Sequence, residues 1–167
     1  MCAEIYAPYV TDTVISLEQR PPDEQEFAER IRRVTTTHPW LLAVHDEAVT
    51  GYAYASPHHE RAAYRWAADV AVYVRRGQHR RGAGRALYRA LFELLVRQGI
   101  HVACAGVTLP NEASVGFHES FGFKPVGIYR RIGFKHGHWH DVGWWQRDLV
   151  APIDVQPAEP RPPARLQ

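Results

Sequence analysis

Residues 69–98, DVAVYVRRGQHRRGAGRALYRALFELLVRQ, decide the fold. The stretch begins with valines at every second position, a pattern typical of a strand. A basic turn containing Gly82 and Gly84 follows, and leucines then recur at helical spacing up to Gly99, a residue type common at helix C-caps. The sequence therefore predicts a strand, a glycine turn and a long amphipathic helix in direct succession.

The glycine turn has the composition of an anion site. A helix that begins at Gly82 offers unpaired backbone N–H groups and the positive end of its dipole, and glycine lets a phosphate approach the backbone. The surrounding positive charge comes from Arg75, Arg76, Arg80, Arg81, Arg85 and Arg89. GAGRAL lacks the Gly-Lys-Ser/Thr of triphosphatase loops, and Leu87 occupies the third-glycine position of a GxGxxG motif. We predict a pyrophosphate site, with a purely structural turn as the alternative.

The composition limits the function classes. The chain has 167 residues, 46% hydrophobic and 23% charged, with a net charge of +2. These values predict one soluble domain at 1–150, and a proline-rich tail at 151–167 that is disordered or loosely draped. Because the arginines are not interleaved with aromatic residues, we expect no nucleic-acid partner. No apolar run suits a membrane span and the two cysteines form no pattern, so we expect a cytoplasmic protein.

The remaining pattern predicts a mixed α/β layer fold in the order α-β-β-β-α-β-α-β-β. Ile5 to Val10 have the character of the end of a helix. The other predicted elements are a helix at 21–37, a hairpin of 40–45 and 49–55, a strand at 63–74, a helix at 82–98, a strand at 100–108, a helix at 110–120, and strands at 123–130 and 139–147.

The series of strand, glycine turn, helix, strand, Asn-headed helix and FGF resembles the GNAT superfamily of acetyl-CoA-dependent N-acetyltransferases. The segments TVISLEQRPPDEQEFAERI, YRWAADVAVYV and GFKHGHWHDVGWWQRDL narrow the resemblance to its phosphinothricin N-acetyltransferase branch, over roughly residues 5–149. It implies a GNAT-like, mostly antiparallel central sheet flanked by helices. Members of this branch start about 20 residues earlier with a further strand, so we expect that N-terminal strand to be missing from this sequence or encoded upstream.

The resemblance also implies a coenzyme site. Acetyl-CoA is the expected cosubstrate, its pyrophosphate held by the turn in which His79 replaces the usual Gln or Arg. Backbone N–H groups near Val72 and Val74 are the expected donors to the thioester oxygen. The candidate coenzyme-binding residues are Val72, Tyr73, Val74, Arg80, Arg81, Gly82, Ala83, Gly84, Arg85 and Asn111.

Two residues are candidates for proton transfer. Asp69 stands where the family typically carries Glu, one methylene longer, and is the candidate general base, acting through one water. Its alternative role is to pair with Arg61 or Arg65. His118 lies seven residues after Asn111, where many superfamily members have the Tyr that protonates the departing sulfur. Imidazole can serve as that acid, and the alternative is a histidine that only lines the coenzyme channel.

The amine pocket is less determined. Lys135 and His140 are candidates for attracting an anionic amino-acid substrate, while Tyr64, Trp66 and Tyr73 are candidates for an aromatic wall, with a plain core role equally open. His136, His138 and His140 alternate along one strand, but ligands so arranged splay apart, and His58 and His59 add no clear geometry. We therefore expect no metal.

The predicted function is acetyl transfer from acetyl-CoA to the amine of a small amino acid such as phosphinothricin or methionine sulfoximine. Direct attack in a ternary complex is expected, because neither cysteine has an obvious nucleophile setting. The alternatives are an acetyltransferase of other amino-acid or small-amine specificity, and a non-catalytic acyl-CoA-binding protein truncated at its N-terminus. A homodimer is what the resemblance implies.

Overall fold

A computed structural model describes residues 1–152 and 154–163. The predicted order of elements is confirmed from the second helix onward, and Ile5 to Val10 belong to a first helix. The helices are α1 (Cys2–Thr11), α2 (Glu24–Thr35), α3 (Ala83–Gln98) and α4 (Glu112–Glu119), with a short 3-10 turn at Ala62–Tyr64. The strands are β1 (Trp40–His45), β2 (Ala48–Pro57), β3 (Ala67–Val74), β4 (Val102–Leu109), β5 (Lys124–Lys135) and β6 (His138–Asp148).

The six strands form one sheet in the order β1-β2-β3-β4-β6-β5. Every neighbouring pair is antiparallel except β3 and β4, which run parallel. The predicted mixed, mostly antiparallel sheet flanked by helices is therefore confirmed. The parallel pair is short, since it joins only residues 67–69 to residues 102–104.

Helix α3 covers one face of the sheet. Its Leu87, Leu91 and Leu95 are buried there, as their helical spacing predicts. The strands offer alanines at the contact, including Ala53 and Ala68, both fully buried. Small residues let the helix pack close to the sheet, and this fixes the start of α3 beside the end of β3.

Helices α1 and α2 cover the opposite face through an aromatic cluster. Tyr6 and Phe27 pack there with Tyr52. Tyr73 of β3 joins them, with its ring centroid 5.0 Å from that of Tyr6 and 5.3 Å from that of Tyr52. Helix α2 begins with a full capping box between Asp23 and Glu26, which explains its start inside the predicted range.

Several element ends differ from the sequence prediction. The strand expected from residue 63 begins at Ala67, because Tyr64 and Arg65 donate backbone hydrogen bonds within a 3-10 turn. Strand β5 runs five residues further than predicted, to Lys135. A two-residue turn of His136 and Gly137, with φ of 49° and 77°, joins it to β6. This turn geometry matches the twist of a hairpin, although only the second residue is glycine.

Part of the proline-rich tail lies against the domain. The Ala158 carbonyl accepts a hydrogen bond from Trp66 Nε1 at 2.9 Å, and the Arg161 N–H donates to the Gln98 carbonyl at 2.7 Å. Glu159 pairs with Arg65 at 2.5 Å. Residues 153 and 164–167 of the predicted tail lie outside the described residues.

Candidate active site

The sheet opens where β3 and β4 separate. The two strands share their last rung at Asp69 and Cys104, whereas β3 continues to pair with β2 as far as Val74. The next residue, Arg75, donates its N–H to the Thr50 carbonyl at 2.7 Å. Because an antiparallel strand alternates the side to which it bonds, Val74 and every second residue before it turn their N–H and C=O groups toward the gap.

A cleft of about 870 Å³ extends from this gap over the start of α3. It brings together nine of the ten predicted coenzyme residues, with Arg81 outside the lining. The nine are Val72, Tyr73, Val74, Arg80, Gly82, Ala83, Gly84, Arg85 and Asn111. Residues far apart in sequence thus meet at one cleft, as a coenzyme site requires.

The glycine turn presents free N–H groups to the cleft. Gly82 is the N-cap of α3, with φ of 91°. The first helical hydrogen bond runs from the Ala86 N–H to the Gly82 carbonyl at 3.0 Å. The N–H groups of residues 83–85 therefore lack helical partners, and the helix dipole adds positive charge at the same place. This arrangement suits a pyrophosphate.

Helix α1 closes one side of the cleft. The Tyr9 hydroxyl donates to the Val74 carbonyl at 2.5 Å and lies 2.8 Å from Nε2 of His79. His79 occupies the position where Gln or Arg was expected, and here it is held by a tyrosine from the first helix. Tyr9 was not among the predicted site residues, since nothing in its local sequence indicates a partner 65 residues away.

Two of the predicted coenzyme residues have structural partners within the described residues. Asn111 caps α4 by accepting the Ser114 N–H on its side-chain oxygen at 3.1 Å. The Arg85 guanidinium lies over the Phe121 ring, 5.5 Å from its centroid, and donates to Ser120 Oγ at 3.2 Å. These contacts fix both side chains at the wall of the cleft.

His118 also lines the cleft, but it is buried and both of its ring nitrogens have partners. Nδ1 donates to the Ser114 carbonyl at 2.8 Å, so Nε2, 3.0 Å from the Tyr88 hydroxyl, is the acceptor in the neutral ring. Burial lowers the pKa of His118. A neutral imidazole with both nitrogens occupied is a poor proton donor. The contacts therefore favour the channel-lining role of the two roles that the sequence left open.

Asp69 lies at the point where the gap begins, on the sheet face opposite α3. Its Oδ1 is 2.6 Å from Nδ1 of His58, and the side chains are about 32% and 30% exposed. Burial raises the pKa of Asp69, against an opposing effect of His58. A carboxylate whose protonated form is favoured by burial has the character of a base poised closer to neutral pH.

Cys104 completes a cluster with this pair. A ring nitrogen of His58, a carboxylate oxygen of Asp69 and the Cys104 sulfur lie within 4.8 Å of one another. Burial, with the charge of Asp69, raises the pKa of the Cys104 thiol to about 11. The thiol is therefore protonated near neutral pH, which disfavours it both as a nucleophile and as a metal ligand.

The four predicted amine-pocket residues do not converge. Tyr64 is 43% exposed and stacks on His59 with ring centroids 4.9 Å apart, and Trp66 donates to the tail. Lys135 is buried, and its ammonium donates to the Val10 and Ser16 carbonyls at 2.6 Å each. His140 Nε2 lies 3.0 Å from the Lys135 carbonyl. In this arrangement Lys135 joins α1 and the loop after it to β5.

Two further residues face Asp69 that the sequence did not single out. The His58 ring meets the Trp144 ring edge-on, with centroids 5.8 Å apart. Trp144 Nε1 is buried and has no hydrogen-bond partner among residues 1–152 and 154–163. A signal for His58 existed in the Pro-His-His that ends β2, but its geometry depends on the β2–β3 register, which pairs Ser56 with Asp69.

Known proteins share this architecture. The chain matches the acetyltransferase (GNAT) domain family over residues 3–144. It is 38% identical over 152 residues to the phosphinothricin N-acetyltransferase of Streptomyces viridochromogenes, covering 91% of this chain and 83% of that protein. It is 31% identical over 147 residues to the L-methionine sulfoximine/L-methionine sulfone acetyltransferase of Salmonella typhimurium, covering 87% and 86%.

A solved structure is similar over nearly the whole chain. The GNAT superfamily phosphinothricin acetyltransferase of Sinorhizobium meliloti, in complex with AcCoA, superposes with a TM-score of 0.90 at 32% identity, covering 99% of this chain and 91% of that one. The family match, the sequence identities and the superposition agree with the divided sheet and the glycine turn described above. The chain belongs to the GNAT acetyltransferase family.

Proposed function

We propose that this protein transfers acetyl from acetyl-CoA to the amino group of a small amino-acid-like substrate of the phosphinothricin or methionine sulfoximine type. One observation carries the proposal: Asp69 stands on the last rung shared by β3 and β4, and the gap beyond it leads to the free N–H groups at the start of α3. A carboxylate and a pyrophosphate site at two ends of one gap suit a thioester lying between them. The names of the relatives support the substrate class.

In the proposed mechanism the coenzyme lies along the gap. Its pyrophosphate accepts hydrogen bonds from the N–H groups of residues 83–85, and its thioester oxygen accepts one from a β3 N–H near Val72. The amine approaches from the side of Asp69, which acts as the general base through one intervening group. The amine attacks the thioester directly, because the protonated Cys104 thiol is no nucleophile.

Two roles stay within the proposal for His118, donor of a proton to the departing sulfur or wall of the channel, and its contacts favour the wall. The amine-pocket roles of Tyr64, Trp66, Lys135 and His140 stay predictions. Each of the four has a contact to another part of the chain that a role in substrate binding must coexist with.

A kinetic panel tests the substrate. CoA release is measured with phosphinothricin, methionine sulfoximine, methionine sulfone and aspartate, each at equal acetyl-CoA. We expect turnover with at least one of the first two at a kcat/KM well above that for aspartate. No turnover of either, with turnover of another amine, contradicts the proposed substrate class and supports the rival of different specificity.

Calorimetry separates the enzyme from the non-catalytic rival. We expect acetyl-CoA to bind and CoA to be released once the amine is added. Binding of acetyl-CoA without CoA release across the panel supports a protein that binds the acyl coenzyme only.

A homodimer is part of the proposal. Strand β5 forms an edge of the sheet, and the β5–β6 hairpin exposes large apolar side chains. Their exposed fractions are Val126 65%, Tyr129 58%, Ile132 58%, Phe134 51% and Trp139 60%. An apolar edge of this kind favours pairing with a second copy. Light scattering should give twice the chain mass, and a monomer at micromolar concentration contradicts this part.

A cytoplasmic location completes the proposal, since acetyl-CoA is its cosubstrate. Among the described residues, the helices are too short or too polar to cross a membrane. Fractionation of cells followed by immunodetection tests the location.

A further inference from the structure

The imidazole of His58 is held against Asp69 from two sides. Its backbone N–H donates to the Ala67 carbonyl at 3.4 Å, and its Nδ1 lies 2.6 Å from Asp69 Oδ1. The Trp144 ring packs edge-on against the imidazole, and the Tyr64 ring centroid lies 6.2 Å away. The ionisable groups that face the imidazole are thus Asp69 from β3, Cys104 from β4 and Tyr64 from the 3-10 turn.

The hydrogen bond to Asp69 decides the tautomer of the ring. An ionised carboxylate only accepts, so Nδ1 carries the proton and the lone pair of the neutral ring lies on Nε2. Nε2 has no hydrogen-bond partner among the described residues, and the side chain is 30% exposed. The pair therefore directs one basic nitrogen outward, with a carboxylate behind it to stabilise a positive ring.

We propose that His58 Nε2 accepts the proton of the attacking amine, so that the imidazole is the group through which Asp69 acts. This rests on the proposed acetyl transfer. The family that this sequence resembles typically carries Glu where Asp69 stands, and Asp is shorter by one methylene. A ring bonded to the carboxylate restores that reach and moves the basic atom toward the amine side of the gap.

The protons balance in this scheme. The substrate ammonium gives one proton to Nε2, and the imidazolium is stabilised by the Asp69 carboxylate. The free amine attacks the thioester carbon, the C–N bond forms and the C–S bond breaks. The second amine proton goes to the departing CoA sulfur, and the imidazolium returns its proton to solvent.

Three variants test the role. His58→Ala removes the base, His58→Gln keeps a polar side chain of similar length without a basic nitrogen, and His59→Ala is the matched control, since His59 stacks on Tyr64 and has no printed bond to Asp69. We expect kcat to fall by about 10²–10⁴-fold in both His58 variants. Acetyl-CoA affinity should stay within twofold, and His59→Ala should keep wild-type kcat.

Chemical rescue distinguishes a proton acceptor from a structural residue. Free imidazole should restore part of the kcat of His58→Ala, measured as acetylated amine by mass spectrometry, and should leave His58→Gln unrestored. A kcat within threefold of wild type in both His58 variants overturns the proposal, and so does a fall that imidazole does not relieve in His58→Ala.

One readout needs no turnover. In ¹⁵N-labelled protein, the His58 ring should show a protonated Nδ1 and an unprotonated Nε2, and the opposite tautomer overturns the proposal. The proposed function fails differently, because wild-type protein would then release no CoA with any amine while the tautomer stayed as described.

Discussion

The two ends of α3 offer a matched test of the pyrophosphate site. Gly82 precedes the helix with φ of 91°, and Gly99 follows it with φ of 93°. Both positions lie in the left-handed region, where a residue with a Cβ costs about 1–2 kcal/mol. Gly82→Ala and Gly99→Ala should therefore lower the free energy of unfolding by similar amounts, about 1–2 kcal/mol each, and lower Tm by a few degrees.

The two variants should differ in coenzyme affinity. A Cβ at Gly82 meets nothing within 4 Å, and one at Gly99 meets only the Pro160 Cα at 3.6 Å, so neither substitution creates a clash. An alanine at 82 relieves its strain by moving toward negative φ, which turns the N–H groups of residues 83–85 away from the cleft. Losing one hydrogen bond to a charged phosphate costs about 1.5–3 kcal/mol, or about 10- to 100-fold in Kd.

Calorimetric titration with acetyl-CoA, paired with thermal unfolding, measures both effects. Gly82→Ala should bind at least about tenfold more weakly, and Gly99→Ala within twofold of wild type. The ends of a 16-residue helix are about 24 Å apart, so the stability losses should add in the double variant. Equal loss of affinity in both variants, or unchanged affinity in Gly82→Ala, would refute the assignment of the pyrophosphate to this turn.

Four further outcomes test the site and its surroundings. Asp69→Asn should lower kcat at least about 100-fold while the Kd for acetyl-CoA changes less than twofold, and equal loss of both by titration and kinetics counts against a base. His118→Gln should lower kcat less than about tenfold, because burial keeps the ring neutral; a larger fall in steady-state assays indicates the acid role. Burial lowers the pKa of His38 to about 4 from 6.5, so the unfolded chain binds more protons between these values, and stability should fall by about 3 kcal/mol as pH drops through that window; His38→Gln should flatten this slope in urea titrations. Lys135→Met should lower the free energy of unfolding by about 2 kcal/mol or more, since two buried carbonyls lose their donor, with little change in amine KM for folded protein; a large KM rise supports a substrate role.

The coenzyme half of the site was predictable because its signals are local. A glycine at a helix start, the helical spacing of leucines and a preceding strand all lie within residues 69–98, and each acts through neighbouring backbone. The structure brings nine of the ten predicted coenzyme residues to one cleft. The helix was predicted one residue early, at Gly82, because the N-cap itself stands outside the helix.

The amine half was less predictable because its contacts depend on register. His58 reaches Asp69 only because β2 and β3 pair Ser56 with Asp69, and a one-residue slip would turn one of the partners to the other face. Lys135 has the residue type of an exposed anion-binding group. Its burial follows from two carbonyls in α1 and the loop after it, more than 100 positions away. A sequence pattern carries neither fact.

This difference between the halves has a physical origin. Backbone N–H groups hold the coenzyme, so many side chains can change without disturbing it, provided that the glycine turn keeps its φ. The amine side is formed by side chains from separate elements, His58 after β2, Asp69 on β3, Cys104 on β4 and Trp144 on β6. A single substitution there changes both the base and the shape of the pocket. A shorter acid at position 69 therefore need not mean a weaker base, because its effective reach is set jointly with the ring that the neighbouring strand end places on it.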